Sequence, residues 1–172
     1  MLKLTEENLA SLMSTRGVDV IGVGQRTIAY TVIADGGTGQ IIITAAGHGL
    51  KKHQSFWITS GGAYANTAHK VKKVIDANTF IADGTFGVTA AGNINLIVAL
   101  DCEGFIVNVA TGLVFSELVP DDPNIDAATL IAKTYAVGEV VPIPCSKIRI
   151  TAVGQITCIR KQPQTDLPYS RR

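Results

Sequence analysis

A chain of 172 residues, 47% of them apolar, has material for one packed domain or two small β-rich units sharing a core, and is too apolar to be disordered throughout. Its formal charge of +1 lacks the basic excess of nucleic-acid-binding domains, and a charged fraction of only 17% points to surface buried against other subunits. Apolar runs such as residues 94–100 are far too short to span a bilayer, and Glu6 and Glu7 break up any signal-peptide core, so neither a membrane nor nucleic acid is expected as a partner.

Residues 1–17 read as a short helix. Thr5 is the expected N-cap, Glu6 and Glu7 favour the positive end of the helix dipole, and Arg16 and Gly17 close the last turn. Leu4 and Leu9 have the spacing of a hydrophobic staple. Leu9, Leu12 and Met13 form a single apolar stripe that a helix of this length must dock elsewhere, which makes them candidate partner-binding residues.

Residues 18–161 read as a β-rich domain. "VDVIGVG", "RTIAYTVI", "IIITAAG", "SFWITSGG", "HKVKKVID" and "TFIADGTFG" are β-branched or alternating segments punctuated by Gly, Asn and Asp. The run from Asn93 to Val119 supplies more strands, with turns expected at Asp101–Gly104 and Ala110–Gly112. A helical turn is expected within 120–133, started by Pro123 or Asp126 and anchored by Leu130 and Ile131. Pro142 and Pro144 confine their strand to an edge or bulge, and two closing strands meet around Gly154. The predicted class is all-β: an antiparallel sandwich or barrel with a short N-terminal helix and an extended C-terminal arm over 162–172.

In that arm, Pro163 and Pro168 hold the backbone extended. Leu167 and Tyr169, two residues apart, would anchor it side by side on a partner, and Arg171 and Arg172 would reach acidic groups there.

No motif for chemistry stands out. His48, His53 and His69 lack the tight Cys/His spacing of a zinc site, so turn and surface histidines explain them better. "GVGQRT" at 22–27 lacks the third glycine and helix of a nucleotide site. Asp101 with Glu103, and Asp121 with Asp122, read as turn formers rather than acid–base pairs. Lys51, Lys52, His53, Lys70, Lys72 and Lys73 would form a basic face if their segments pair, most simply as a lysine guard on a strand edge, with Phe56, Trp57 and Tyr64 near enough to suggest single-strand stacking. Cys102, Cys145 and Cys158 are too few and too far apart for a disulfide framework and read as reduced, structural thiols, with Cys158 half-buried at a subunit contact. No catalytic residue, cofactor or metal is expected.

Within 40–92, the turn His48–Gly49–Leu50 precedes a strand, a Gly/Asn-rich turn and a closing "V..V.D.NTF" hairpin. This resembles a module of tailed-bacteriophage virion proteins, matched here by Ile58, Gly61, Asn66, Val71, Val74, Asp76, Asn78, Thr79 and Phe80. The Gly-Asp that usually follows the turn is replaced by Lys51, Lys52 and His53. Residues 135–161, through Gly138, Pro142, Ile143, Ile148 and Gly154, are similar to the closing strands of small head-decoration or spike-base proteins of phages and gene transfer agents, with Cys145 and Ser146 interrupting that pattern. The resemblance implies a non-enzymatic virion structural protein, made in the host bacterial cytoplasm. It would be a homo-oligomeric head-decoration, spike-base or neck component whose partners are itself and the major capsid, portal or tail proteins. Other readings are a phage tail adaptor, tube or baseplate subunit, and a carbohydrate- or host-surface-binding module with Trp57 and Tyr64 as a stacking platform.

Overall fold

The computed structural model describes residues 17–22, 27–151 and 153–161. The expected helix with Leu9, Leu12 and Met13, and the expected arm with Leu167, Tyr169, Arg171 and Arg172, lie outside them.

After β1 (Val18–Gly22), seven strands alternate inward apolar and outward polar residues and roll into a nearly closed barrel. They are β2 (Ile28–Tyr30), β3 (Val32–Asp35), β4 (Gln40–Thr44), β5 (Ser55–Ser60), β6 (Thr67–Val74), β7 (Thr79–Asp83) and β8 (Gly92–Asn95). The order around the wall is β2-β8-β5-β6-β7-β4-β3. Since β2 and β3 are separated only by Thr31, the last strand runs into the first. Thr31 N donates to Thr44 O (2.8 Å) and Ile33 N to Ala90 O (2.9 Å) where they meet. Every strand contributes to the core, among them Ile28, Ile33, Ile43, Phe56, Val71, Phe80 and Ile94. "RTIAYTVI" is therefore two strands with different partners. Gly61, at φ 136°, has no alternative residue: a Cβ there would lie 1.6 Å from the Tyr30 hydroxyl, which donates to Ser60 O.

The second sheet is built from β1 and from β9 (Val98–Val109), β10 (Phe115–Pro120), β11 (Val140–Val141), β12 (Cys145–Ile150) and β13 (Gln155–Arg160), in the order β1-β13-β9-β12-β10 with β11 also on β9. Its core gathers Ile21, Phe105, Val107, Phe115, Leu118, Ile148 and Ile156. Phe105, Phe115 and Tyr135 meet as a trio of rings with centroids 5.3–5.9 Å apart. The short helix α1 (Ala127–Ala132) starts at Asp126, whose side chain accepts from Ala128 N. Leu130 packs on the core, whereas Ile131 is partly exposed at 37%.

Asp101–Gly104 is not a turn. It lies inside the 12-residue β9, where Asp101 takes φ 55° and Glu103 is the extra residue between the pairs Arg160↔Cys102 and Ile159↔Gly104. An Asp–Gly segment tolerates the left-handed backbone of a bulge as readily as that of a turn. Ala110–Gly112 does form the turn after β9, with Leu113 N donating to Ala110 O. Pro142 and Pro144 fall between the two-residue β11 and β12, off the ladders.

The barrel is thus inserted between β1 and β9, and its outer wall rests on the second sheet. Asp19 is central to the junction. Its carboxylate is 2% exposed and accepts from Arg160 Nε (3.1 Å) and Nη2 and from Ser55 N (3.3 Å). Ser55 Oγ in turn accepts from Leu100 N (3.0 Å). A buried charge is tolerable only when fully paired in this way. Removing it by Asp19→Ala should cost about 3–5 kcal/mol in urea unfolding, because Arg160 loses its counter-charge. Lys133→Ala, which breaks the more exposed pair with Glu139, should cost under about 1 kcal/mol. Equal losses for the two variants would contradict this account of the junction.

Candidate functional site

The two halves of the "HGL…D.NTF" pattern meet in space. Asn78 Oδ1 accepts from Gly47 N (2.9 Å), Ala45 N donates to Asn78 O (2.7 Å), and His48 N donates to Ala77 O (3.2 Å). Asp76 Oδ1 accepts from Asn78 N (2.7 Å), shaping the β6–β7 turn. His48 is the turn residue expected from its flanking glycines, but it is buried there, and its ring bridges both turns. Nε2 contacts Asp76 O at 3.0 Å, and Nδ1 accepts from Leu50 N at 2.9 Å. A carbonyl only accepts, so the proton is on Nε2. The ring also packs on Phe80, centroids 4.9 Å apart. This pattern is a clasp for the barrel.

The other histidines lie apart from His48. His69 is buried on β6, stacked on Phe56, with Nδ1 at 2.7 Å from Asp83 O and Nε2 at 2.8 Å from Thr67 Oγ1. His53 is exposed at φ 69° in the turn before β5. Among the described residues, no three His, Cys, Asp or Glu side chains are placed to hold a metal ion, and no helix is long and apolar enough to cross a membrane.

The remaining candidates from the sequence also have structural duties. Asp101 pairs with Lys70 (2.6 Å) across the junction, and Asp121 pairs with Lys161. Gly22, the described start of "GVGQRT", approaches so closely that a Cβ would lie 2.2 Å from Gly154 O, and the chain resumes at Thr27 into a strand. Trp57 and Tyr64 are buried, so they form no stacking platform for sugars or bases. Trp57 projects from the barrel wall against β12, where the Arg149 guanidinium lies 4.5 Å and the Lys147 ammonium 5.4 Å from its ring centroid. Glu117 holds both cations, 2.8 Å from Lys147 and 3.8 Å from Arg149. The Tyr64 hydroxyl accepts from Gly87 N and Val88 N.

Lysines gather at one corner of the described surface. His53 N donates to Val71 O and Val71 N to Gln54 O, extending the β5–β6 ladder into the 51–54 turn. The turn lysines Lys51 and Lys52 and the strand lysines Lys70, Lys72 and Lys73 are thereby brought to one corner. Burial first, then Lys52, Arg160, Lys70 and Lys72, hold the His53 pKa below its ordinary value. This corner is not a guarded edge, because β6 is paired on both sides, to β5 and β7. The site residues expected in the N-terminal helix and C-terminal arm lie outside the described residues, whereas the lysine corner is visible as a pattern once its two segments pair.

All three cysteines are free and buried in the second core, Cys158 completely, so it is not half-exposed at a contact. Burial pushes the Cys145 thiol up to about 12 from an ordinary 9.0 and raises Cys158 well above it. The folded state then keeps protons that the unfolded chain releases, so stability is fully present below pH 9 and falls from there towards pH 12. The decline should reach about 1.4 kcal/mol per pH unit for each such thiol. Urea midpoints measured across this window should fall less steeply in Cys145→Ala, and an unchanged slope would contradict the assignment.

In comparisons with family models, curated proteins and solved structures, nothing matched the chain.

Proposed function

We propose that this chain is a non-enzymatic structural protein of a tailed-bacteriophage virion, a homo-oligomeric head-decoration, head-spike-base or neck component that acts by binding. The observation that carries the reading is the clasp. The residues that resemble the virion module, His48, Asp76 and Asn78 foremost, hold two turns of the barrel together. The pattern is therefore accounted for as a building unit, without chemistry at its histidine. A low charged fraction, and cations without a carboxylate partner that gather, among the described residues, at one corner, also suit a protein whose work is contact with other subunits.

Immunogold labelling of phage particles whose genome encodes the chain tests this reading directly. Label should decorate the head or neck, and light scattering should give a multiple of the 18.1 kDa chain mass. Label absent from intact particles, with a monomeric protein at every concentration, would overturn it. Deleting residues 162–172 should leave the thermal transition nearly unchanged and weaken assembly or attachment. Attachment with unaltered affinity would remove any assembly role for that segment.

A further inference from the structure

Among the described residues, Lys51, Lys52, Lys72 and Lys73 are exposed and have no carboxylate partner, whereas every other Lys and Arg has one within 4.0 Å. All four unpaired cations occupy the corner where the 51–54 turn meets β6. A bulge between Val71 and Lys73 inserts Lys72 into this strand, so cations crowd a segment that has no free edge to protect. Like charges held this close repel, and the crowding is relieved by an anionic surface.

The described carboxylates show a complementary segregation. Asp122 and Asp126 share the exposed 121–126 loop and have no cation partner among the described residues. Local hydrogen bonds hold each in place, from Asn124 N to Asp122 Oδ1 (2.9 Å) and from Ala128 N and the Thr129 hydroxyl to Asp126. The Thr129 hydroxyl and then the Ala128 amide keep Asp126 below the usual carboxylate range, so it stays ionised. Two further carboxylates, Asp35 and Asp76, stand singly at separate turns, each accepting from a backbone N–H two residues on. A net charge of +1 for the chain thus hides a cationic corner and an anionic loop.

We propose that the lysine corner docks on the Asp122–Asp126 loop of a second copy of the chain. Two different patches meet, so the contact is heterologous and repeats from copy to copy, which builds a ring where the rotation between copies closes. The inference rests on the homo-oligomeric reading above and names the surfaces that make the oligomer. Lysines, as hydrated point charges, suit such a rim contact: it speeds encounter and fixes register while apolar surface elsewhere supplies adhesion.

The test uses two charge-reversed full-length proteins, Lys72→Glu with Lys73→Glu, and Asp122→Lys with Asp126→Asn, the last keeping a capping side chain on α1. Each protein alone places like charges face to face and should assemble about tenfold more weakly than the parent at low salt. Mixed one to one, the acidic corner of the first meets the basic loop of the second and the reverse contact is restored as well, so assembly should recover. Thermal transitions of both should match the parent, since the reversed groups are exposed. Assembly that is unchanged in both variants would overturn this contact while leaving the homo-oligomer intact. A parent protein that is monomeric at every concentration would instead remove the homo-oligomeric reading itself. Loss of binding to heparin or duplex DNA in the lysine variant, with assembly unaffected, would overturn the contact in favour of a polyanionic partner.

Discussion

A single buried carboxylate fixes how the two cores stand against each other. Asp19 belongs to β1, its guanidinium partner to β13, and the amide it accepts from to the barrel strand β5. Ser55 passes the connection on to β9 through its hydroxyl. Apolar contact alone is non-directional and would let two β units slide over one another. A charge with 2% exposure cannot slide, because any register other than this one leaves it unpaired in a low-dielectric layer. Trp57, gripped between the barrel wall and the Glu117-held cations of β12, then fills the place this register leaves for it.

The same economy of polar groups runs through the described turns and cores. Among the described residues, His48, His69 and most carboxylates are committed to turns, strand neighbours and the junction, and the thiols to the second core. His48 and Asn78 replace backbone partners that the barrel's ends would otherwise lack, since turn amides cannot find them within a strand ladder. The charged side chains left at the described surface are flexible, and they are unevenly distributed.

Alternation made most strands readable from sequence. "IIIT" and "TFIAD" put every second side chain into a core, and Gly or Asn marks their ends. The pairing of β1 with β13 was not readable, because Val18↔Ile159 and its neighbours join the two ends of the described chain and no local signal specifies that. The Asp101 bulge shared its residue signature with a turn, and only β9's exchange of neighbours distinguishes them. His48 is legible from sequence as a turn residue between two glycines, but its burial is not, because its partner at Asp76 lies 28 residues away. The lysine corner was foreshadowed by residue type, but whether β6 was an edge or an interior strand depended on closure of the barrel.

Insertion of the barrel between β1 and β9 has a consequence for synthesis. Every strand of the barrel has been synthesised once Asn95 has been added, so that unit can close, after these residues leave the ribosome, while the rest of the chain is still being translated. β1, by contrast, must wait for β13, the last strand described, and until then its backbone groups lack their ladder partner. Its partner strand arrives only after β9, β10 and β12 have been laid down, which makes this pairing the slow, non-local step of folding. The nascent protein therefore carries a finished barrel ahead of an unfinished sheet, and Asp19 finds Arg160 last.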